Sequence, residues 1–301
     1  MGESHFLESL QLNPKDPAAR FNLGRTYLKQ RKYSQALDYL QLAELEVPDL
    51  WLVHLFKGRA KNALGNLDEA RNSFETAIQN SPERWITYVY YATFLKLDNK
   101  WDLARQTLKK MLTKDPRYEQ QSPPPFGFYQ ERVDYEQYLK IYSEIMERAP
   151  AEERELGKLY LTYLLGSANG NAALVGKQIE KVADKDNLFG RVITLQVLID
   201  RDARPDEIKA LLAKMPVNLN DFGYYAYVLR GDARLRLGQS GEALKDLERA
   251  LLLEPKSAIA HWAYSGLLKR LNRKNDAQSE LIALRSLHPN YIPGLVPQHD
   301  F

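Results

Sequence analysis

The side chains best suited to acid–base chemistry or metal binding are five histidines, in a chain of 301 residues without cysteine. Histidine ligands on one helix stand three or four residues apart, so that two imidazoles reach one ion. No two histidines of this sequence have that spacing. The histidines are His5, His54, His261, His288 and His299. We therefore predict no metal site and no cofactor, and the lack of cysteine excludes disulfides and thiolate catalysis.

Two further stretches approach catalytic motifs and fail on their spacing. Residues 170–177 (GNAALVGK) have five residues between the glycines where a phosphate-binding loop has four, and Gln178 replaces the magnesium-binding Ser or Thr. Ser265 would be the nucleophile of a Gly-x-Ser-x-Gly elbow, but Ala263 replaces the first glycine. The carboxylates fall in turns and on polar helix faces. The sequence thus predicts a protein that is not an enzyme.

The overall composition is that of a folded polypeptide, with 44% hydrophobic and 27% charged residues. A net charge of +3 gives no strong attraction to nucleic acid or anionic membranes, so we expect no nucleic-acid partner. No apolar run approaches eighteen residues, and we expect no direct membrane insertion. The first residues also lack the apolar core of a signal peptide.

Prolines reveal how the elements are organised, because seven of them recur at one constant spacing within two series. Their period, about 34 residues, is typical of repeats made from two helices. Two further columns with the same period hold small residues, which are needed where helices cross closely, and a third holds large apolar residues. The prolines are Pro14, Pro48, Pro82, Pro116 and Pro150, then Pro255 and Pro289. The columns include Gly24, Gly58, Ala92, Gly231 and Ser265; Ala36, Ala70, Ala104, Ala243 and Ala277; and Leu40, Phe74, Leu108, Leu247 and Leu281.

With this period and these columns, five units resemble tetratricopeptide repeats: 17–50, 51–84, 85–118, 224–257 and 258–291. The resemblance implies an all-α fold, a right-handed superhelical solenoid of antiparallel helix pairs, with about eight units and a degenerate middle. One departure is the early Trp of the family pattern. The residues in its place are Arg20, His54, Tyr88, Tyr227 and His261.

The remaining residues are organised around these regular units. Phe6, Ser9 and Pro14 continue the columns backwards, so the chain begins partway through a second helix. We therefore expect a piece of a longer protein, with any targeting signal or anchor upstream and with a cytoplasmic or a periplasmic location both open. The predicted segments are a truncated second helix at 1–16, three regular units at 17–118, three irregular helical pairs at 119–223 with a proline-rich break at 122–127, two regular units at 224–291, and a tail at 292–301.

The resemblance also implies that the first helix of each unit lines a concave groove that holds a protein or peptide. Arg25 and Arg59 are equivalent positions, so we predict a short positive ladder between apolar side chains. Such a groove suits an extended or helical peptide with apolar anchors and one or two acidic groups. The predicted lining residues are Phe21, Arg25, Leu28, Lys29, Leu52, Leu55, Arg59, Asn62, Ile86, Val89, Thr93 and Lys96. One subclass of the family clamps the C-terminal carboxylate of chaperones, and here its clamping positions hold Phe21, Arg25, Phe56, Ile86 and Tyr90. Only Arg25 suits a carboxylate, so we do not expect chaperone-tail binding.

Two other surfaces are candidates for binding. The C-terminal units offer a second surface of Tyr225, Asp232, Arg236, Trp262, Lys269 and Arg270. There Trp262 is either a groove-facing anchor or a residue covered by the tail at 292–301. The third candidate is Phe126, Phe128 and Tyr129 after the triple proline, which either fill the gap left by the broken helix or form an exposed docking loop.

The predicted function is a scaffold or adaptor that binds a partner protein or peptide, as part of a multiprotein assembly. One alternative is a regulatory segment of a larger enzyme, or of bacterial envelope, secretion or polysaccharide-export machinery. Another is an RNA-binding helical repeat, against which the near-neutral charge argues. The oligomeric state is left open.

Overall fold

The computed structural model describes residues 2–115, 135–151 and 188–291, together with residues 118, 122, 125, 127, 128, 154, 155, 157–162, 176, 177 and 179. Across these described ranges the chain forms helices and turns without a strand, which confirms the predicted all-α helical repeat fold. The chain divides into two compact units. Unit 1 consists of residues 1–111 and 123–133, and unit 2 consists of residues 112–122 and 134–301.

Unit 1 is built from successive helices joined by short turns. They are α1 (Gly2–Leu12), α2 (Pro17–Lys29), α3 (Tyr33–Glu44), α4 (Trp51–Ala63), α5 (Leu67–Asn80), α6 (Trp85–Leu97) and α7 (Trp101–Leu112), whose last residue is assigned to unit 2. Helix α2 packs against α3, and α4 packs against α5, as two-helix repeats require. Helix α4 also contacts both α2 and α6, so the first helices of three successive repeats are neighbours.

Local chemistry fixes where these helices begin and turn. At the start of α2, the Asp16 side chain accepts a hydrogen bond from the Ala18 amide at 2.9 Å, and Pro17 occupies the first turn. Between the helices of each pair, one residue adopts a left-handed conformation. In unit 1 these residues are Arg31 (φ 62°), Gly65 (φ 82°) and Asn99 (φ 58°), each one repeat period after the last. This conformation ends a helix and reverses the chain.

Close helix crossings explain the glycine column. A Cβ atom on Gly24 would lie 2.7 Å from Leu40 Cγ, and one on Gly58 would lie 2.9 Å from the Phe74 ring. Both distances are shorter than carbon atoms tolerate without displacement. The prediction that small residues stand where two helices of one unit cross is therefore confirmed for these two repeats.

Polar side chains in the column of the family's early Trp form a repeated hydrogen bond. Each of three such residues bonds the carbonyl oxygen of the proline six residues earlier, which closes the preceding repeat. The pairs are His54 Nε2 with Pro48 O at 2.6 Å, Tyr88 OH with Pro82 O at 2.8 Å, and His261 Nε2 with Pro255 O at 2.9 Å. These bonds give a hydrogen-bond partner to the proline carbonyl group in the turn between two repeats.

Unit 2 contains a second series of helices. They are α8 (Tyr135–Ile145), α9 (Leu188–Asp200), α10 (Pro205–Leu212), α11 (Gly223–Arg236), α12 (Ser240–Leu253), α13 (Ala258–Arg270) and α14 (Lys274–Leu287), with a 3-10 turn at Asn220–Phe222 before α11. Helix α11 pairs with α12, α13 pairs with α14, and α9 packs on α11. Much of the predicted irregular middle, including 163–175 and 180–187, lies outside the described residues.

A buried ion pair joins the two helices of one repeat in unit 2. Arg230 of α11 and Asp246 of α12 are only 4% and 3% exposed, and the Arg230 Nη2 to Asp246 Oδ1 distance is 2.7 Å. The guanidinium also donates to the carbonyl oxygens of Pro216 and Val217, at 2.6 and 3.0 Å. Buried charges persist only when paired and hydrogen-bonded, so this network is structural.

Candidate functional site

A line of aromatic rings and one guanidinium crosses three neighbouring helices of unit 1. We call it the aromatic row, and it consists of Phe21 on α2, Phe56 and Arg59 on α4, and Tyr90 on α6. The Phe21 and Phe56 rings meet edge to face, with centroids 5.2 Å apart. The Arg59 guanidinium carbon lies 4.6 Å from the Phe56 ring centroid and 4.5 Å from that of Tyr90. Arg59 is thus held between two rings.

The repeat period places these side chains together. Asn22, Phe56 and Tyr90 occupy the same position in three successive repeats. That position holds an amide side chain in the first of these repeats and an aromatic ring in the next two. Arg59 follows Phe56 by three residues and lies on the same helix face. A guanidinium stacked on aromatic faces gains about 0.5–2 kcal/mol and keeps its planar donors in a fixed orientation.

Asn22 contacts a chain segment that is distant in sequence. Its side chain is 4% exposed, and its Nδ2 donates a hydrogen bond to the carbonyl oxygen of Gly127 at 2.7 Å. Within the described part of the chain, nothing hydrogen-bonds to Asn22 Oδ1. A buried acceptor without a partner costs about 1–3 kcal/mol. Next along this segment, the Phe128 ring lies 5.4 Å from the Phe21 ring. Gly127 and Phe128 therefore lie on α2.

The predicted apolar groove residues are buried within unit 1. Phe21 and Leu55 are fully buried, Leu52 is 1% exposed, and Ile86 and Val89 are each 3% exposed. Their apolar area is already used in packing. While Phe128 lies against Phe21, a partner on this face would therefore contact neighbouring side chains rather than these five.

The predicted polar groove residues lie closer to solvent. Lys29 is exposed, while Arg25, Arg59, Asn62, Thr93 and Lys96 are partly exposed. Thr93 Oγ1 donates to the Val89 carbonyl oxygen at 2.8 Å, within its own helix. Leu28 packs on the small cluster formed with α1 and α3.

The second predicted surface, on unit 2, is largely engaged in internal contacts. Tyr225 is buried and its hydroxyl donates to Gln196 Oε1. Arg236 pairs with Asp202 at 3.0 Å and with Asp232 at 3.5 Å.

Trp262 of that surface is partly buried, and it packs on the cluster of Tyr118, Ala258 and Leu284. The tail at 292–301, predicted as its possible cover, lies outside the described residues. Lys269 and Arg270 are the exposed members of this surface. It therefore offers mainly two cationic side chains.

Of the third predicted group, Phe128 is partly buried against Phe21, whereas Phe126 and Tyr129 lie outside the described residues. The predicted site residues did not include Asn22. Its polar side chain in a column with two aromatic residues was a visible signal, but its bond to Gly127 spans 105 residues and follows no period.

Metal-binding clusters and membrane-spanning helices are both absent from the described ranges. Those ranges contain no group of three or more His, Cys, Asp or Glu residues that could hold a metal ion. Of the helices described, none combines the length and apolar character that crossing a bilayer requires.

Comparison with known proteins identifies the family. Tetratricopeptide repeat models match residues 5–38, 57–119 and 228–290. Among solved structures, a chain of the APC/C hetero-tetramer Cut9–Hcn1 matches 95% of this chain at 13% identity with a TM-score of 0.39, and this chain spans only 49% of it. The match with yeast Tom70 covers 92% of this chain and 70% of the Tom70 chain, at 14% identity and a TM-score of 0.37.

A further similar structure is YrrB, a TPR protein with an unusual peptide-binding site, at 13% identity and a TM-score of 0.33 over 86% of this chain and 96% of that chain. No curated protein sequence matches the chain. The segments matched by the family models cover more than half of the chain. The chain belongs to the tetratricopeptide repeat family.

Proposed function

We propose that this protein is a scaffold or adaptor that binds an acidic peptide segment of a partner protein along the aromatic row of unit 1. The tetratricopeptide fold supports protein–protein interaction in general. The observation that carries the finer proposal is Arg59, held at 4.6 and 4.5 Å between the rings of Phe56 and Tyr90.

The reason lies in the cost of ordering a charged side chain. Fixing a rotamer-rich side chain on binding costs about 0.5–1.5 kcal/mol, and the two rings have already restricted Arg59. A guanidinium in a fixed plane can donate two parallel hydrogen bonds to a carboxylate. Arg25, one repeat earlier on α2, extends the positive charge along the same face. The row therefore suits a peptide with one or two acidic groups.

A peptide selection tests this proposal. Twelve-residue peptides are selected by phage display against the whole chain, and their affinities are measured by fluorescence anisotropy. We expect acidic sequences, and about tenfold or greater weakening when Arg25→Glu and Arg59→Glu are combined, because each reversal replaces attraction by repulsion. Arg59→Lys keeps the charge but loses the planar stack, and we expect a smaller loss.

The matched control is Lys269→Glu with Arg270→Glu, which makes the same change in charge at two exposed cations of unit 2. Circular dichroism and thermal melting establish that each variant is folded. Binding that survives the Arg25 and Arg59 reversals would contradict the proposal. Binding lost only in the Lys269 and Arg270 variant would move the site to unit 2.

A further inference from the structure

We propose that Gly127 and Phe128 occupy the peptide site of unit 1 from within the chain, so that a partner peptide binds by displacing them. This inference rests on the proposed function, because it concerns the regulation of the same site. Both residues belong to unit 1, although residues 112–122, which precede their segment, belong to unit 2. They therefore return to α2 after the chain has left it.

The backbone at Gly127 approaches α2 closely. Gly127 has φ +86°, and a Cβ atom on it would lie 3.1 Å from the Cβ of Ala18. A left-handed conformation and a close approach both favour glycine. This geometry brings the Gly127 carbonyl oxygen within 2.7 Å of Asn22 Nδ2. The segment thus presents its main chain to a buried amide, as a bound peptide does.

The neighbouring side chain anchors the segment on the aromatic row. The Phe128 ring lies 5.4 Å from Phe21, which in turn lies 5.2 Å from Phe56. Phe128 is therefore the next ring in the line that leads to Arg59. A ligand that follows the row towards α2 meets Phe128 in its path.

The contact made by the segment is incomplete. Asn22 uses its donor, while Oδ1, in a side chain only 4% exposed, has no hydrogen-bond partner within the described residues. An amide side chain can bond a peptide main chain through both groups at once. A partner that offers a carbonyl to Nδ2 and an N–H to Oδ1 would satisfy both.

The displacing partner is therefore an extended peptide with an aromatic side chain for Phe21 and a residue other than proline opposite Oδ1, since proline has no N–H. Its acidic groups would lie towards Arg59. Gly127 and Phe128, which we call the resident segment, belong to the same chain as the site. They therefore compete at a high effective concentration and lower the apparent affinity of any partner. Weakening the resident contact should strengthen binding from outside.

The probe is a fluorescein-labelled peptide with the sequence of residues 122–131 (SPPPFGFYQE). It is titrated against the full chain and against the Phe128→Ala and Gly127→Ala variants. We expect about tenfold tighter binding to both variants than to the unaltered chain, because the resident segment has lost its ring or its backbone fit. Adding Asn22→Ala to Phe128→Ala should remove that gain.

Leu12→Ala is the control, since Leu12 is a 91% exposed apolar side chain of the same unit, and it should bind the probe as the unaltered chain does. Gly127→Ala keeps the test valid if Phe128→Ala unfolds. Equal affinity of the unaltered chain and the folded variants for the probe would overturn the inference.

The two proposals fail separately. If the selected acidic peptides bind the unaltered chain through Arg59 and bind Phe128→Ala no better, the proposed function stands and the resident segment is not a competitor. If no acidic peptide binds, but the probe binds Phe128→Ala through Asn22, the resident contact stands and the proposed function falls.

Discussion

One residue in each helical pair carries the turn between its two helices, and three kinds of residue do so in unit 1. Gly65 takes the left-handed conformation without steric cost, whereas Asn99 and Arg31 carry a Cβ atom. Asparagine tolerates this region better than most residues, but arginine gains nothing comparable from it. Arg31, at φ 62° and exposed, is the least favourable of the three.

We predict that Arg31→Gly raises the free energy of unfolding by about 0.5–1 kcal/mol, since relief of the left-handed strain outweighs the added freedom of the unfolded chain. Gly65→Ala is the matched reverse change. No atom lies within 4 Å of a Cβ at Gly65, so only backbone strain acts, and we expect a loss of about 1 kcal/mol. Urea unfolding followed by circular dichroism measures both. A lower stability for Arg31→Gly would show that this turn is not strained.

The sequence could identify the column of residues that replace the family's early Trp, but not the partners of those residues. Period alone placed His54, Tyr88 and His261 at equivalent positions. Their common acceptor is a proline carbonyl six residues earlier, and that depends on how one repeat ends against the next. Periodicity predicts where a side chain lies along a helix, whereas hydrogen bonds also require the path of the backbone between helices.

At the scale of elements, helix pairs are held together by crossings that leave no room for a methyl group. On α4, a Cβ at Gly58 would lie 2.9 Å from the ring of Phe74. That ring is buried and packs on Phe94 at 5.3 Å and Tyr91 at 6.0 Å, so it cannot move without disturbing α6.

Burial also raises the pKa of Tyr91, with a further contribution from Glu75, so its hydroxyl stays protonated.

We predict that Gly58→Ala lowers the free energy of unfolding by about 1–3 kcal/mol, because the core around Phe74 is overpacked. Gly266→Ala is the control, since Gly266 also lies inside a helix and no atom is within 4 Å of its added Cβ. That change should be neutral or stabilising by about 0.5–1 kcal/mol, because alanine favours helix. The measurement is the urea midpoint of each variant, and equal midpoints would contradict the crossing argument.

The regular pairs were predictable because their columns recur in every repeat, and each column reports one packing role. Apart from Pro150, the region from 119 to 223 continues none of these columns, so only approximate helices could be predicted there, without their partners. The contact between Asn22 and Gly127 could not be predicted from the sequence for a related reason. Two residues 105 positions apart with no period between them are joined by the fold alone.

At the scale of the whole molecule, charge is balanced. Lys and Arg number 42, and Asp and Glu number 39. Many of the described charges also form pairs, such as Arg71 with Asp98 at 2.8 Å and Lys61 with Glu69 at 3.1 Å. Binding to phosphate backbones depends on clustered cations that release counterions. A balanced surface supplies little of this free energy.

We predict that the protein passes through a heparin column at about 150 mM salt and does not retard single-stranded RNA in gel shifts at micromolar concentration. A variant with Glu69→Lys and Asp98→Lys adds cations near existing ones, and it serves as a positive comparison that should be retained longer. Retention of the unaltered chain that weakens steeply with salt would favour the RNA-binding alternative.

Because the ribosome makes the chain from its N-terminus, the contact between α2 and Gly127 can form only some time after α2 has been synthesised. Asn22 is synthesised 105 residues before Gly127. At about 5–20 residues per second, translation takes roughly 5–20 s to cover that distance. Every nascent copy therefore passes through an interval in which α2 is complete and Gly127 and Phe128 have not yet been made, so the competition that we propose at this site cannot operate during that interval.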